Sequence, residues 1–141
     1  MKAVFVTLAL AMSAFAQGIS IVQPTSGTSQ RAGDPLTVVV AKQDSLTGST
    51  DVSIAIGLWS CATTDCDDIP QEDLGTVLYT GSYSPKLDES GEDTQDYIVR
   101  VPATTASGPA RLTVAHFYIL GASSIATLDY AHTTLNITAS D

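Results

Sequence analysis

Two cysteines, two histidines and one acidic segment are the features of this chain that could do chemistry. Cys61 and Cys66 lie close together in sequence, and an even cysteine pair in a secreted chain is typical of a disulfide bond. The alternative is a zinc site, but two thiols without a second Cys or His pair make a poor one. We therefore predict a Cys61–Cys66 disulfide, which stabilises the fold by only about 2 kcal/mol because the loop it closes is short.

The histidines are the candidates for a catalytic base. His116 lies in TVAHFYI, on the same strand face as Leu112 and Val114, so a hydrogen-bonded histidine at a sheet edge is the favoured interpretation. His132 has no recognisable catalytic partner in sequence, and the nucleophile pattern G-x-S-x-G is absent. We expect no enzyme activity and no cofactor.

The acidic segment follows the first cysteine and could hold a calcium ion, since carboxylate oxygens are its preferred ligands. Ile69 and Pro70 stand where an EF-hand loop would need a ligand and a glycine, so we favour a solvated acidic loop and predict no metal. Such a loop would steer the protein toward a basic partner surface. Its members are Asp65, Asp67, Asp68, Glu72 and Asp73.

The N-terminal residues MKAVFVTLALAMSAFA are typical of a secretory signal peptide, with Lys2, an apolar run and Ala14-Phe15-Ala16 as cleavage site. Cleavage after Ala16 leaves residues 17–141, and 141 − 16 = 125 residues suit a single domain. The net charge of −9 becomes −10 once Lys2 is removed. Nucleic acids and anionic membranes would be repelled by this charge, and no later apolar run could span a membrane.

Period-two alternation of apolar residues recurs along the chain, which predicts strands rather than helices. In the third strand Val52, Ile54, Ile56 and Leu58 are expected to face the core, with Trp59 on the opposite face. Seven short strands separated by turns predict an all-β, single antiparallel β-sandwich of the immunoglobulin or fibronectin III-like class. The strands are expected to begin near Ile19, Leu36, Val52, Leu74, Tyr97, Arg111 and Thr133.

Asn136 begins the sequon Asn136-Ile137-Thr138, which makes it the candidate N-glycosylation site. Strand alternation turns Asn136 away from Leu135 and Ile137, so its side chain is expected to be exposed.

Four blocks of sequence occur in the order DSLTGSTDVSIAIGLWSC, LGTVLYTGSYSP, YIVRVP and GPARLTVAHFYILGA. Over the span from about Ile19 to Ile137, these blocks resemble the fungal necrosis-inducing secreted protein family. The resemblance implies a secreted effector, without established catalytic residues, that acts in fungal infection of plants. Such effectors suppress pattern-triggered immunity by binding receptor-like kinases and receptor-like cytoplasmic kinases, and some members provoke host cell death. Action on these kinases implies delivery into the plant cytoplasm.

Exposed loops are the segments most suited to contact a protein partner. We expect a monomer whose partner-binding residues are Asp44, Ser45, Leu46, Thr47, Gly48 and Tyr83. The alternative is a secreted cell-wall or glycan-binding module, in which aromatic rings stack on sugars. Its platform would consist of Trp59, Tyr79, Tyr83 and Tyr118. A structural protein of the fungal surface, without a specific ligand, remains a third interpretation.

Overall fold

The computed structural model describes residues 18–43 and 48–140, and nine strands in these residues form two sheets around a shared core. The predicted signal peptide, Gln17, residues 44–47 and Asp141 lie outside the described residues. The strands are β1 (Ile19–Gln23), β2 (Thr28–Arg31), β3 (Pro35–Lys42), β4 (Ser49–Ser60), β5 (Thr76–Ser82), β6 (Lys86–Leu87), β7 (Asp93–Arg100), β8 (Gly108–Leu120) and β9 (Ile125–Thr138).

A four-stranded sheet has the order β1-β3-β7-β6 and a five-stranded sheet has the order β2-β9-β8-β4-β5. The predicted all-β sandwich is confirmed, with two differences. β2 runs parallel to β9 whereas the other neighbours are antiparallel, so the second sheet is mixed. The short strands β2 and β6 were not predicted, because TSQR and KL carry no apolar alternation.

Apolar side chains that alternate along the longer strands fill the space between the sheets. Burying each such side chain contributes roughly 1.5–3 kcal/mol, so this layer fixes which face of every strand points inward. The buried set includes Leu36, Val38, Val40, Val99 and Val101 from the four-stranded side, and Ile54, Ile56, Leu58, Leu112, Val114, Leu135 and Ile137 from the other. Among the described residues, no helix has the length and apolar character needed to cross a membrane.

A bulge in β4 overturns one part of the predicted core. Against β8, Asp51 is opposite Tyr118 and Ser53 is opposite Phe117, so Val52 is an extra residue between them. A bulge of this kind reverses the side-chain alternation beyond it. Val52 is consequently 40% exposed rather than buried, and Asp51 points inward instead.

The position of β8 agrees with its apolar character and corrects the interpretation of His116. β8 is the middle strand of the five-stranded sheet, as its apolar residues on both faces indicate. His116 therefore lies in the centre of a sheet and not at an edge. β9 begins at Ile125, earlier than the predicted start at Thr133, because it pairs with β8 along its length.

Candidate functional site

A buried polar cluster lies at the end of the core where the β4 bulge turns Asp51 inward. One Asp51 carboxylate oxygen is 3.0 Å from Nε2 of His116, and the other accepts a hydrogen bond of 2.7 Å from Nζ of Lys42. The Asp51 side chain therefore bridges a histidine of its own sheet and a lysine of the facing sheet.

His116 is enclosed by aromatic rings. Its side chain is 3% exposed, with the Tyr118 ring stacked at 4.9 Å and the Tyr83 ring edge-on at 4.9 Å between centroids. Burial lowers the pKa of His116, although the nearby carboxylates of Asp51 and Asp129 oppose this shift. The imidazole lies against the Tyr83 and Tyr118 rings and the Asp51 carboxylate, and Ser49 and Lys42 line the small cavity beside it.

Tyr83 was expected on a binding surface, and this prediction is wrong. Its side chain is 1% exposed, and its hydroxyl donates a hydrogen bond of 3.3 Å to the carbonyl oxygen of Val40. Burial, with a smaller contribution from Asp51, raises the pKa of Tyr83. The physical reason is topological: Tyr83 lies where the chain crosses from β5 in one sheet to β6 in the other, so its ring fills the end of the core.

The other predicted partner-binding residues belong to the segment between β3 and β4. Asp44, Ser45, Leu46 and Thr47 lie outside the described residues, so their role stays a prediction. Gly48 is exposed, and its carbonyl oxygen accepts a hydrogen bond of 2.8 Å from the amide of Gly121.

The four rings of the predicted glycan platform do not share a surface. Tyr83 and Tyr118 are buried, and Tyr79 packs against Tyr97 with ring centroids 4.8 Å apart. A platform role would require Tyr79 to point outward, but the pairing of β5 with β4 shifts between Ile56 and Gly57 and turns its ring toward the core. Trp59 alone remains on the outer face, where it is half-buried.

The predicted disulfide is confirmed, and it closes part of a loop that folds back over the five-stranded sheet. Cys61 and Cys66 are bonded, with their Cα atoms 5.3 Å apart. We call residues 61–75 the disulfide loop. A short 3-10 helix at Cys66–Asp68 follows Asp65, whose carboxylate accepts a hydrogen bond of 3.1 Å from the amide of Asp67.

Arg111 anchors the disulfide loop to the sheet. Its guanidinium donates hydrogen bonds to the carbonyl oxygens of Cys66 at 3.3 Å, Ile69 at 2.5 Å, Pro70 at 2.6 Å and Asp73 at 3.3 Å. The fixed fork of donors suits this task, because a lysine ammonium could not reach so many oxygens in one plane.

The surroundings of Arg111 explain both its burial and its role. The side chain is 6% exposed; burial lowers its pKa, and the carboxylates of Asp73 and Asp67 oppose that shift. Sequence reasoning missed this residue. The available signal was a charged residue near the start of the most apolar strand, which is rare unless the charge has partners.

The acidic residues of the disulfide loop spread over its surface. Asp65, Asp67, Asp68 and Glu72 are exposed, whereas Asp73 is half-buried. Within the described ranges, no group of at least three His, Cys, Asp or Glu residues is placed to hold a metal ion. The geometry therefore gives a negatively charged surface without converging ligands.

Asn136 lies in β9 between buried Leu135 and Ile137, and its side chain is exposed as the alternation predicts. Attachment of a glycan there stays a prediction.

Comparisons with known proteins point to one family. The sequence model of the Nis1 family matches residues 14–136. A fibronectin(III)-like module of Clostridium thermocellum CbhA is similar in structure, with 11% identity, coverage of 85% of this chain and 98% of that chain, and a TM-score of 0.43. A search of curated proteins gives no match.

A second similar structure is a chain from the human seminal plasma complex of zinc 2-glycoprotein with prolactin inducible protein. It is 15% identical, the match covers 86% of this chain and 94% of that chain, and the TM-score is 0.39.

Proposed function

The chain belongs to the Nis1 family, whose sequence model covers residues 14–136, and from this premise we propose that it is a secreted fungal effector that binds plant immune kinases. Its targets are receptor-like kinases and receptor-like cytoplasmic kinases, whose activity it lowers. The consequence is suppression of pattern-triggered immunity, with host cell death as a further outcome. The family match is the observation that carries the proposal.

The proposed mode of action is binding without catalysis. His116 is paired with the Asp51 carboxylate and enclosed by two tyrosine rings, which supports a structural role for this histidine. An effector of this kind inhibits by occupying a surface of the kinase, so its effect is stoichiometric and saturable.

The charge of the chain supports a basic partner surface. The full sequence carries a net charge of −9, and exposed carboxylates of the disulfide loop concentrate part of it on one side. Opposite charge on the partner raises the association rate more than it raises the affinity.

Contacts within the disulfide loop support action in a reducing cytoplasm as well as outside the cell. The Arg111 guanidinium holds the carbonyl oxygens of Ile69 and Pro70 through noncovalent hydrogen bonds. These bonds do not depend on the redox state, so reduction of the Cys61–Cys66 disulfide leaves the loop with a second attachment to the sheet.

The glycan-binding alternative receives no support from a specific feature of the fold, because the rings of the expected platform are distributed between the core and the outer face. We therefore do not propose it as a second function.

Titration of the mature chain, residues 17–141, into the cytosolic domain of a plant immune co-receptor kinase tests the proposal. Binding and autophosphorylation are measured on the same samples, with an unrelated protein of similar net charge as control. We expect saturable binding and a parallel decrease in phosphorylation. Absence of binding at concentrations of roughly tens of micromolar, or binding equal to that of the acidic control, would overturn it.

A further inference from the structure

The outer face of the five-stranded sheet is divided into a covered half and an open half. The disulfide loop covers the first half, where it contacts Arg111. It also passes directly over Gly57, where Leu74 occupies the space that a Cβ atom would need. The open half, which we call the bare face, has no chain over it among the described residues. It consists of Ser53, Ala55, Thr80, Ala115, Phe117, Leu128 and Tyr130.

The bare face is uncharged and largely apolar. Its residues point away from the core because they alternate with buried Ile54, Val114 and His116 along the same strands. The small side chains of Ala55 and Ala115 leave a shallow concavity of about 300 Å³, bordered by larger apolar groups. Leu128 at its border is 58% exposed.

The outer face of the four-stranded sheet differs from the bare face because it carries charged residues. Ile98 is 78% exposed there, but along β7 it is flanked on the same face by Asp96 and Arg100. Charged residues beside an exposed apolar side chain are ordinary for a solvated strand. In a chain with 15 acidic residues, the absence of charge from the bare face is therefore a local property and not a consequence of composition.

The bare face adjoins the acidic surface of the disulfide loop. Gly57, which lies under Leu74, is two residues from Ala55 along β4, and two residues of a strand span about 7 Å. The disulfide loop thus reaches the border of the concavity at Leu74, and its exposed Asp67 lies farther along the same outer face, beside Arg111, His132 and Thr134. Apolar centres with a charged border are typical of surfaces that bind other proteins.

We propose that the bare face and the acidic surface beside it form one docking surface for a protein segment with apolar side chains flanked by lysine or arginine. The inference rests on the proposed function and deepens it, because it names the surface that contacts the kinase and the chemistry of the kinase segment. The apolar side chains enter the concavity beside Phe117 and Leu128, and the basic residues face the disulfide loop.

A second copy of the chain fits this surface less well. Face-to-face pairing would bring together two chains that each carry a strongly negative net charge, and like charges weaken an interface. The bare face is also small. It spans on the order of 15 Å in each direction, so its area is roughly 225 Å², well below the ~800 Å² per partner of a stable interface. A basic segment that also contacts the disulfide loop relieves both problems.

The matched variants Leu128→Asp and Ile98→Asp test the apolar part of the surface. Each places one carboxylate at an exposed apolar position, on opposite outer faces of the sandwich. With the kinase domain as partner, we expect Leu128→Asp to weaken binding at least tenfold and Ile98→Asp to change it less than twofold. Far-ultraviolet circular dichroism and thermal melting establish that both variants are folded. Equal effects of the two variants would overturn the proposal.

The paired variants Asp67→Asn/Asp68→Asn and Glu89→Gln/Glu92→Gln test the acidic part. Both change the net charge by the same amount, one pair in the disulfide loop and the other in the loop before β7. We expect the first pair to lower the association rate constant several-fold more than the second, with a difference that shrinks as salt is added. Equal reductions would show that only net charge matters and would contradict a defined surface.

A second probe keeps the surface testable when the kinase itself does not bind. If the wild-type chain fails to bind the kinase, the proposed function fails, and a peptide of alternating leucine and lysine is titrated into the labelled chain and followed by nuclear magnetic resonance. A peptide of alternating serine and lysine is the control. Leucine-dependent shifts confined to Ala55, Ala115, Phe117 and their neighbours support the surface; shifts spread over both sheets overturn it.

Self-association is a separate outcome. Sedimentation of the wild-type chain and Leu128→Asp at micromolar concentrations gives a monomer for both if the proposal is right. A wild-type dimer that Leu128→Asp dissociates would assign the face to a second copy and overturn the proposed partner.

Discussion

Two charged side chains, Asp51 and Arg111, organise the polar interior of this sandwich. Asp51 bridges His116 and Lys42 at one end of the core, and Arg111 ties the disulfide loop to the outer face of the same sheet. Arg111 is buried and Asp51 is half-buried, each in a strand whose neighbouring inward residues are apolar. Burying a charge is unfavourable unless its hydrogen bonds are satisfied, so each is expected to be sensitive even to conservative substitution.

Arg111→Lys keeps the charge but removes the planar fork of donors. We expect the free energy of unfolding to fall by about 1–3 kcal/mol, with faster amide hydrogen exchange in residues 66–73. Urea denaturation and exchange measurements check this. The matched control is Arg100→Lys: Arg100 is exposed and donates one hydrogen bond of 2.7 Å to the carbonyl oxygen of Gly33, and we expect a change below about 0.5 kcal/mol. Equal effects of the two substitutions would contradict the anchoring role.

His116 is expected to make the fold less stable in mild acid. Its pKa is lowered, chiefly by burial and also by Lys42, against the opposing carboxylates of Asp51 and Asp129. The unfolded chain takes up a proton at a pKa of about 6.5, whereas the folded chain resists protonation until lower pH. Stability is therefore present above pH 6.5 and declines as the pH falls below it.

The pH dependence is measured as the unfolding free energy between pH 7.5 and 5.0. Burial and Arg111 lower the pKa of His132 as well, so both chains in the comparison carry His132→Gln. We expect the chain that retains His116 to lose more stability on acidification than the chain with His116→Phe. Identical slopes would show that His116 does not contribute.

At the scale of strands and loops, irregularities in two strands determine which side chains meet. The bulge in β4 brings Asp51 to His116, and the shift in the pairing of β5 turns Tyr79 toward Tyr97. On the outer face, Gly57 allows the disulfide loop to pass close to β4, since a Cβ atom there would overlap the backbone carbonyl of Leu74. This close approach keeps the loop against the same sheet face that carries Arg111.

Gly57→Ala is expected to displace the disulfide loop. Because the overlap is with backbone and not with a flexible side chain, the sheet or the loop must move, at a cost of about 1–3 kcal/mol. Thermal melting and amide exchange of the loop measure the effect. Gly48→Ala is the control: a Cβ atom at Gly48 meets nothing within 4 Å, so its melting temperature should match that of the wild-type chain. A stable Gly57→Ala protein with an unchanged loop would contradict this account of the close approach.

The sequence predicts the strands better than it predicts the bulges, the crossover between sheets and the covering loop. Alternation identifies the strands around Val38, Ile56 and Val114, because burial on one face imposes a period of two. It fails at Val52 and Tyr79, because an inserted residue reverses the alternation and leaves no mark in the composition. Tyr83 and Arg111 are misjudged for another reason: their burial depends on a crossover between sheets and on a covering loop, which are tertiary features.

At the scale of the whole molecule, the core and the pairing of β8 with β4 and β9 hold the fold together. The disulfide stabilises only one loop. The Cys61–Cys66 bond joins residues of one loop and connects neither sheet to the other. The loop that it closes is short, so its entropic contribution is small compared with that of the core.

Removal of the disulfide is therefore expected to leave a folded protein. Cys61→Ala/Cys66→Ala should lower the free energy of unfolding by about 2 kcal/mol and preserve a cooperative transition. Urea denaturation of the variant, and of the wild-type chain with reductant, checks this. A variant without a cooperative transition at 25 °C would show that the disulfide is essential and would weaken the case for action in a reducing cytoplasm.

The most direct test of the central claim is a dose response of kinase autophosphorylation. The cytosolic domain of a plant immune co-receptor kinase is incubated with increasing amounts of wild-type chain or Leu128→Asp, and incorporated phosphate is measured. Our account predicts a saturable decrease with the wild-type chain and a curve shifted at least tenfold to higher concentration with the variant. Phosphorylation that stays constant across the wild-type titration would contradict the account.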